Sequence, residues 1–373
     1  MLSATSDPVT AQRLAALTTA QMAELASRTV TSWRYAAVHG GFGGAIGGTA
    51  LYRFWIASET HPPITRILKI LFQRPGETPN SPYYWKREYE IYRARLLEDL
   101  PADTFIAPHI MQLRDFGDSC WIWMADYADR KDNWTLDDYR AVAGRLGRMN
   151  GSMIGRDLPD EGWLAQGWHS AIAPALADAF AALPQSLQQP LARIALPYEA
   201  RDEIVAIWRD RQLFRDALAQ LPQTLCHNDA FRRNILHSDA GAVLLDWALA
   251  GRGGIGEELV SLAALALYYS GFTQAYAEQI DQAVFAAYVD GLRESGWRGD
   301  QRLARIGYTC GMTLRGLAGV KQDINLLIDT DQHEQLRVVH NRDSLEDIAA
   351  FFADVRRFRL IKMAREARRL LAS

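Results

Sequence analysis

The hydrophobic periodicity of this chain changes near residue 131, and that change limits the fold more than any other feature. Before it, apolar and aromatic residues come in short strand-like runs at Trp33–Val38, Ala50–Ala57 and ITRILKILF (64–72). Met111–Leu113 and Trp121–Met124 make a further pair, turned by Asp115-Phe116-Gly117-Asp118. β-Branched and aromatic residues in runs of this length suit a pleated sheet. After residue 131 apolar residues recur at helical spacing, except for TLC (224–226) and AVLLDW (242–247), which flank a polar loop. The pattern predicts an α+β chain: a small antiparallel sheet, then a larger, mostly helical body.

The sheet region should hold one helix. Ser81 can cap it and Pro82 can be its first residue, with Trp85, Tyr89, Tyr92 and Leu96 as the apolar stripe. A helix or helix pair is expected over residues 8–29. The first two strand-like runs are joined by HGGFGGAIGGT, which has six glycines in eleven residues. So bare a backbone lets amide groups approach phosphate closely, with Gly41, Gly43 and Gly44 as candidates; a plain hairpin tip is the alternative.

A composition of 49% hydrophobic and 23% charged residues is that of a folded chain. A net charge of −3 argues against binding driven by nucleic-acid phosphates. Cys120, Cys226 and Cys310 are far apart, with neither zinc spacing nor a disulfide framework. MLSATSDPVTAQ has no signal-peptide pattern, and the apolar stretch Leu259–Tyr269 is too short to span a bilayer. The expectation is a cytoplasmic protein with no nucleic-acid or membrane partner; the oligomeric state stays open.

The chemistry is concentrated in CHNDAFRRNILHSDAGAVLLDW (226–247). Phosphoryl transfer needs a carboxylate to orient a hydroxyl and take its proton, and hard oxygen ligands for Mg²⁺. Asp229 suits the first role, and Asn234 and Asp246 suit the second. Polar residues that merely satisfy a turn are the competing reading. His227 reads as a structural histidine, because no second ligand stands at metal spacing.

HNDAFRRN followed by LLDW resembles the catalytic and metal loops of the aminoglycoside phosphotransferase and choline kinase family, distant relatives of protein kinases. The resemblance implies a bilobal protein-kinase-like fold over about residues 30–265, and more loosely to the C-terminus. It implies ATP and Mg²⁺ in the inter-lobe cleft and a small-molecule hydroxyl as acceptor: aminoglycoside, amino sugar, sugar or amino alcohol. It divides the chain into an N-terminal helical segment (1–30), a nucleotide-binding lobe (31–125) and a helical lobe (126–373). Such a kinase needs a cation on its third strand, held by a helix glutamate. Lys69 lies inside ILKILF, where an unpaired ammonium is costly to bury. Glu88 has no cation at its i±3 or i±4 positions, whereas Glu90 has Lys86, Arg87 and Arg93 nearby and reads as a solvated acid. Lys69 with Glu88 is therefore the expected nucleotide anchor; an edge-strand lysine that blocks aggregation is the alternative. Met124 to Tyr127, including Asp126, are the expected hinge at the adenine edge.

The chain also departs from the family. Ala230-Phe231-Arg232-Arg233 stands where relatives usually have Leu-His-Pro-Gly, Asn150 replaces a histidine, and Glu258 replaces an aspartate. Asp115-Phe116-Gly117 spells a protein-kinase metal tripeptide but lies upstream, between two strands, and reads as a turn. Tyr268, Tyr269, Tyr288 and Trp297 read as core aromatics, and Asp323 and Asp329 as solvated helix-face acids. A protein kinase and a nucleotide-binding scaffold without turnover are the rival readings.

Overall fold

The computed structural model describes residues 8–38, 48–269 and 273–373. Helices α1 (Pro8–Ala15) and α2 (Thr19–Ala26) open it, as the spacing predicted. Thr18 and Gln21 form a capping box that starts α2. Met22, Leu25 and Ala26 then pack on one face of a five-stranded sheet, against Phe54, Leu68 and Trp123.

That sheet comprises β1 (Ser32–Ala37), β2 (Thr49–Ala57), β3 (Ile64–Phe72), β4 (Ile110–Asp115) and β5 (Ser119–Ala125). Its order is β1-β2-β3-β5-β4, and every pair is antiparallel. In β2, Ala50, Tyr52, Phe54 and Ile56 are buried while the residues between them are not, the period of two that a pleat imposes. β3 lies between β2 and β5, with Lys69 opposite Leu51 on one side and Ile122 on the other. Lys69 is thus a central-strand residue, so the edge-strand reading of it does not hold. The tripeptide Asp115-Phe116-Gly117 is a turn: the Gly117 N–H donates to Asp115 Oδ1 at 2.8 Å, and Gly117 has φ +83°.

The helix after β3 begins later than the sequence suggested: α3 covers Arg87–Arg93. Residues 81–86 form turns. The Ser81 and Pro82 carbonyls accept from the Arg87 guanidinium, and the Ser81 hydroxyl accepts from the Thr78 N–H, so neither residue serves a helix start. The apolar stripe survives, with Trp85, Tyr89 and Tyr92 buried and Leu96 packed against them.

The helical body contains α4 (Leu136–Met153), short helices between residues 168 and 220, α5 (Leu259–Tyr269), α6 (Gln274–Glu294) and α7 (Gln301–Ile328). Helix α8 (Leu345–Arg356), a π-helical segment (Arg357–Lys362) and α9 (Met363–Ala372) close it. Five short strands are embedded: β6 (Ala165–Gln166), β7 (Gln223–Cys226), β8 (Ile235–Ser238), β9 (Gly241–Leu244) and β10 (Gly251–Gly254). β7 and β9 match the two apolar runs. β8 and β10 escaped the pattern, since ILHS has only two apolar residues and GRGG has none. Among the described residues no helix is long and apolar enough to cross a membrane.

Helices α4 and α6 cross closely. A Cβ on Gly147 would fall into the Tyr288 carbonyl, and one on Gly291 into the Gly144 carbonyl. Overpacking of this kind costs about 1–3 kcal/mol, and more where backbone is struck. Gly147→Ala should therefore lower unfolding stability by about 3 kcal/mol in urea titrations. A change below 0.5 kcal/mol, roughly the scatter of harmless substitutions, would show that this crossing is loose.

Candidate active site

Lys69 on the central strand meets two carboxylates. Its ammonium lies 2.5 Å from Glu88 Oε2 on α3 and 2.9 Å from Asp246 Oδ1, just after β9. The Lys69 and Glu88 side chains are 9% and 0% exposed, whereas that of Asp246 is 44% exposed. Burial works against the Lys69 charge, but Asp246 and Glu88 outweigh it and hold its pKa above the ordinary value. For Asp246 too, burial opposes ionisation, and Lys69 reverses the balance to keep its carboxyl below the usual range. Tyr92 donates its hydroxyl to Glu88 Oε1 at 3.2 Å, which fixes the carboxylate. Beside Glu88, Arg87 donates to the carbonyls of Ser81, Pro82, Trp163 and Ala248 at 2.7–2.9 Å, tying α3 to the segment after Asp246. Glu90 differs from expectation: it is buried, paired with Arg93 at 2.5 Å and Lys86 at 3.5 Å.

The loop after β7 carries Asp229. Asn234 Nδ2 donates to the Asp229 main-chain oxygen at 2.9 Å and to Oδ2 at 3.0 Å. Arg315 on α7 approaches Oδ1 at 3.4 Å and also donates to the Asn228 carbonyl and the Ser261 hydroxyl. Burial pushes the Asp229 carboxyl up to about 6, against the pull of Arg315 and Asn234. Asn228 and Asp246 both have left-handed backbones, with φ +64° and +62°. Non-glycine residues adopt this region at a cost, and such residues cluster at functional sites.

His227 is the buttress that the sequence suggested. Its Nδ1 accepts from the Asp229 N–H at 3.1 Å and its Nε2 donates to the Leu245 carbonyl at 2.9 Å. These bonds define a neutral ring, whose pKa burial lowers to about 4. The family departures are built into the same support. Glu258 accepts from the His227 and Asn228 N–H groups at 2.5 and 3.2 Å. Asn150 donates to the Leu225 carbonyl and accepts from the Tyr288 hydroxyl, which in turn accepts from the Gly256 N–H. Tyr288 is thus a buried tie inside the core.

The donor set suits a hard cation. With its amide nitrogen engaged by Asp229, Asn234 keeps a carbonyl oxygen as ligand, and Asp246 adds an exposed carboxylate. Among the described residues no three His, Cys, Asp or Glu side chains form a metal cage. Two protein oxygens are instead what Mg²⁺ needs when it shares phosphate and water ligands.

Lys69 bonds directly to Glu88 and Asp246, Asn234 bonds directly to Asp229, and the Leu245 N–H, donating to the Asn234 main-chain carbonyl at 2.8 Å, joins the two sets. The fold also brings in Arg315, which sequence reasoning missed. Met124 is buried in β5, paired with Ile67 and Ile110. The Asp126 carboxylate is engaged by Arg53 at 2.7 Å, at the point where the chain leaves the sheet. Gly41, Gly43 and Gly44 lie outside the described residues. Arg232 and Arg233 are exposed. Asp323 is paired with Arg356 at 2.8 Å, and Asp329 caps a short 3₁₀ turn.

The model of the phosphotransferase enzyme family (APH) matches residues 124–299, a stretch that contains Asn150, Asp229, Asn234, Asp246 and Glu258. The family read from the motif is the family matched. Among solved structures the chain is similar to amicoumacin kinase hAmiN in complex with AMP-PNP, Ca²⁺ and Ami. There the TM-score is 0.51 at 12% identity, over 91% of this chain and 97% of that one. It also aligns with choline kinase from Cryptosporidium parvum Iowa II (TM-score 0.49, 12% identity, 91% and 90% covered). A thermostable mutant of aminoglycoside phosphotransferase APH(4)-Ia in its apo form gives TM-score 0.47 at 12% identity, with 94% and 99% covered. At such identities the likeness to hAmiN speaks to the fold, which is bilobal and protein-kinase-like. No curated protein matches the chain by sequence.

His227 gives this site a pH signature. An ordinary histidine titrates near 6.5, so in the window from 6.5 down to about 4 the unfolded chain binds the proton and the folded one does not. Stability from the neutral ring is present above pH 6.5 and is lost as pH falls toward 4. The stability gap between wild type and His227→Gln should narrow by about 3 kcal/mol from pH 7 to pH 4. A gap that stays constant in urea titrations would contradict a neutral buried ring.

Proposed function

We propose that this protein transfers a phosphoryl group from ATP, with Mg²⁺, to a hydroxyl of a small molecule. The observation that carries the reading is the convergence of Lys69–Glu88, from the sheet side, with Asp229, Asn234 and Asp246, from the helical side. In this reading residues 31–125 bind nucleotide and residues 126–373 supply the chemistry and the acceptor site, with residues 1–30 as a helical appendage. Lys69 holds the α- and β-phosphates, and the backbone at Gly41, Gly43 and Gly44 covers them. Backbone groups between Met124 and Tyr127 meet the adenine edge.

Asp229 orients the acceptor hydroxyl. Its oxygen forms a bond to the γ-phosphorus as the bond from that phosphorus to the bridging oxygen of ADP breaks. The hydroxyl proton passes to the Asp229 carboxylate, and ADP leaves. A carboxyl raised to about 6 is a better proton acceptor than an ordinary one and is still ionised at neutral pH. Asn234 and Asp246 hold Mg²⁺, which when bound offsets the charge on the phosphate oxygens. Acceptors of this reading are aminoglycosides, amino sugars, sugars and amino alcohols.

ADP release from MgATP across a panel of those acceptors is the test. Asp229→Asn should lower kcat by about 10²–10⁴ while nucleotide still binds; retained activity would overturn the assignment. Asp246→Ala should abolish the Mg²⁺-dependent part of nucleotide affinity in calorimetry. An unchanged affinity would remove Asp246 from the metal site.

A further inference from the structure

Behind Asp229, on the side of α7, the protein gathers positive charge. Arg315 lies over the Trp168 ring at 5.3 Å and reaches Asp229. One residue on, Gly316 lets the π-helical segment come close: a Cβ there would stand 3.1 Å from Leu360 Cβ and 3.3 Å from the Arg359 carbonyl. That contact sets the Arg359 backbone against the residue after Arg315, and the two guanidinium groups lie within electrostatic reach of each other. The ionisable groups near Arg359 are Arg315, Asp323, Tyr268 and Arg356. Asp323 already pairs with Arg356 at 2.8 Å, and Asp229 is the acid that Arg315 meets. Three guanidinium groups thus share two carboxylates.

Arg359 is the unusual member. Among the described residues it has no side-chain hydrogen bond or ion pair, and its Nε is buried without a partner. A guanidinium carries five donors, and leaving one group unpaired among other cations costs stability. Burial, followed by Arg315, lowers its pKa to about 10, the expected direction for a cation that lacks a counter-charge. The π-helix that carries it is a rare backbone form, frequent at functional sites. Tyr83 stands at the same place, half-exposed, edge-on to Trp168 at 5.8 Å and within the electrostatic reach of Arg315 and Asp229.

We infer that Arg315 and Arg359 form an anion subsite beside Asp229, so that the acceptor is a small hydroxylated anion, a hydroxy acid or a sugar phosphate, and not a polycation. The inference rests on the phosphotransferase reading of the site and replaces its acceptor list, whose members carry no anionic group, with an anionic class. A carboxylate or phosphate on the acceptor takes the free fork of Arg359, which leaves the acceptor hydroxyl to Asp229. A planar guanidinium matches either anion through two parallel N–H donors. An aminoglycoside in the same place would set its ammonium groups against both arginines.

The test is calorimetry of the full chain with MgAMP-PNP present, using inorganic phosphate, D-gluconate, D-glucose and D-glucosamine as probes. Phosphate and gluconate should bind saturably and glucose and glucosamine more weakly. Arg359→Gln should weaken gluconate binding by about tenfold or more, and Arg359→Lys, which keeps the charge but loses the fork, should fall between. Arg369→Gln, at an exposed arginine of α9, should match wild type. Because Arg359 has no side-chain partner among the described residues to lose, Arg359→Gln should melt at or above the wild-type temperature, whereas a structural guanidinium would lower it. No anion binding to wild type, glucosamine binding as tight as gluconate, or unchanged gluconate affinity in both Arg359 variants would overturn the inference. A lowered melting temperature in Arg359→Gln would also overturn it. Phosphotransferase activity fails separately: Asp229-dependent turnover of glucosamine would sink only the anion subsite, and gluconate binding without MgATP binding would sink only the phosphotransfer.

Discussion

A single ammonium organises this molecule. Lys69 projects from the middle of a central strand, where an unpaired charge would be expensive, and it is stabilised by carboxylates that the chain delivers from two other places. Glu88 comes from α3, and Asp246 follows β9 in the helical half. Burying Lys69 therefore requires the sheet, the helix and the loop to be in register with one another. Arg87, next to Glu88, enforces the same register by donating to the Ser81 and Pro82 carbonyls on one side of the junction and to those of Trp163 and Ala248 on the other. Two neighbouring residues of one short helix thereby set the relation between the sheet and the helical body.

Around that junction the backbone is held where it would not rest unaided. Asn228 and Asp246 have left-handed conformations, and the groups that keep them there are the buried Glu258, His227, Ser261 and Asn150. Asn150 and Glu258 were two of the three departures from the family pattern, yet buttressing is retained. A glutamate reaches two consecutive N–H groups where a shorter acid would reach from a different distance, and an asparagine links three elements by both donating and accepting. Arg315 adds the cation that offsets Asp229, and Arg359 beside it is left with donors to spare.

Much of the sheet could be read from the chain because strand signals are local. The run 64–72 coincides with β3, and the turn at residues 115–118 is where the alternation breaks. The start of α3 was misplaced because Ser81 and Pro82 have every local mark of a cap, but a guanidinium five or six residues on takes their carbonyls. Glu90 was read as solvated because its cations are local; its burial comes from packing that its neighbours do not announce. Arg315 lies 86 residues beyond Asp229 and left one faint trace, a charge set among buried apolar residues of α7. Arg359, between buried Phe358 and Leu360, left the same trace.

The sequence by itself determined the chemistry of the loop and the order of the parts. Asp229, Asn234 and Asp246 are constrained by spacing along one short stretch, and strand and helix periods are properties of neighbouring residues. Only the tertiary structure decided which partner each charge would meet. Lys69 found Asp246 across 177 residues, and Arg315 came to stand over Trp168 beside Asp229. Arg359 was left beside Arg315 with no partner among the described residues. Pairing of buried charges depends on which surfaces approach when the helical body closes on the sheet. Within the helical body the fit is set by close contacts such as Gly147 against Tyr288 and Gly316 against Leu360, a matter of shape that has no period in the chain.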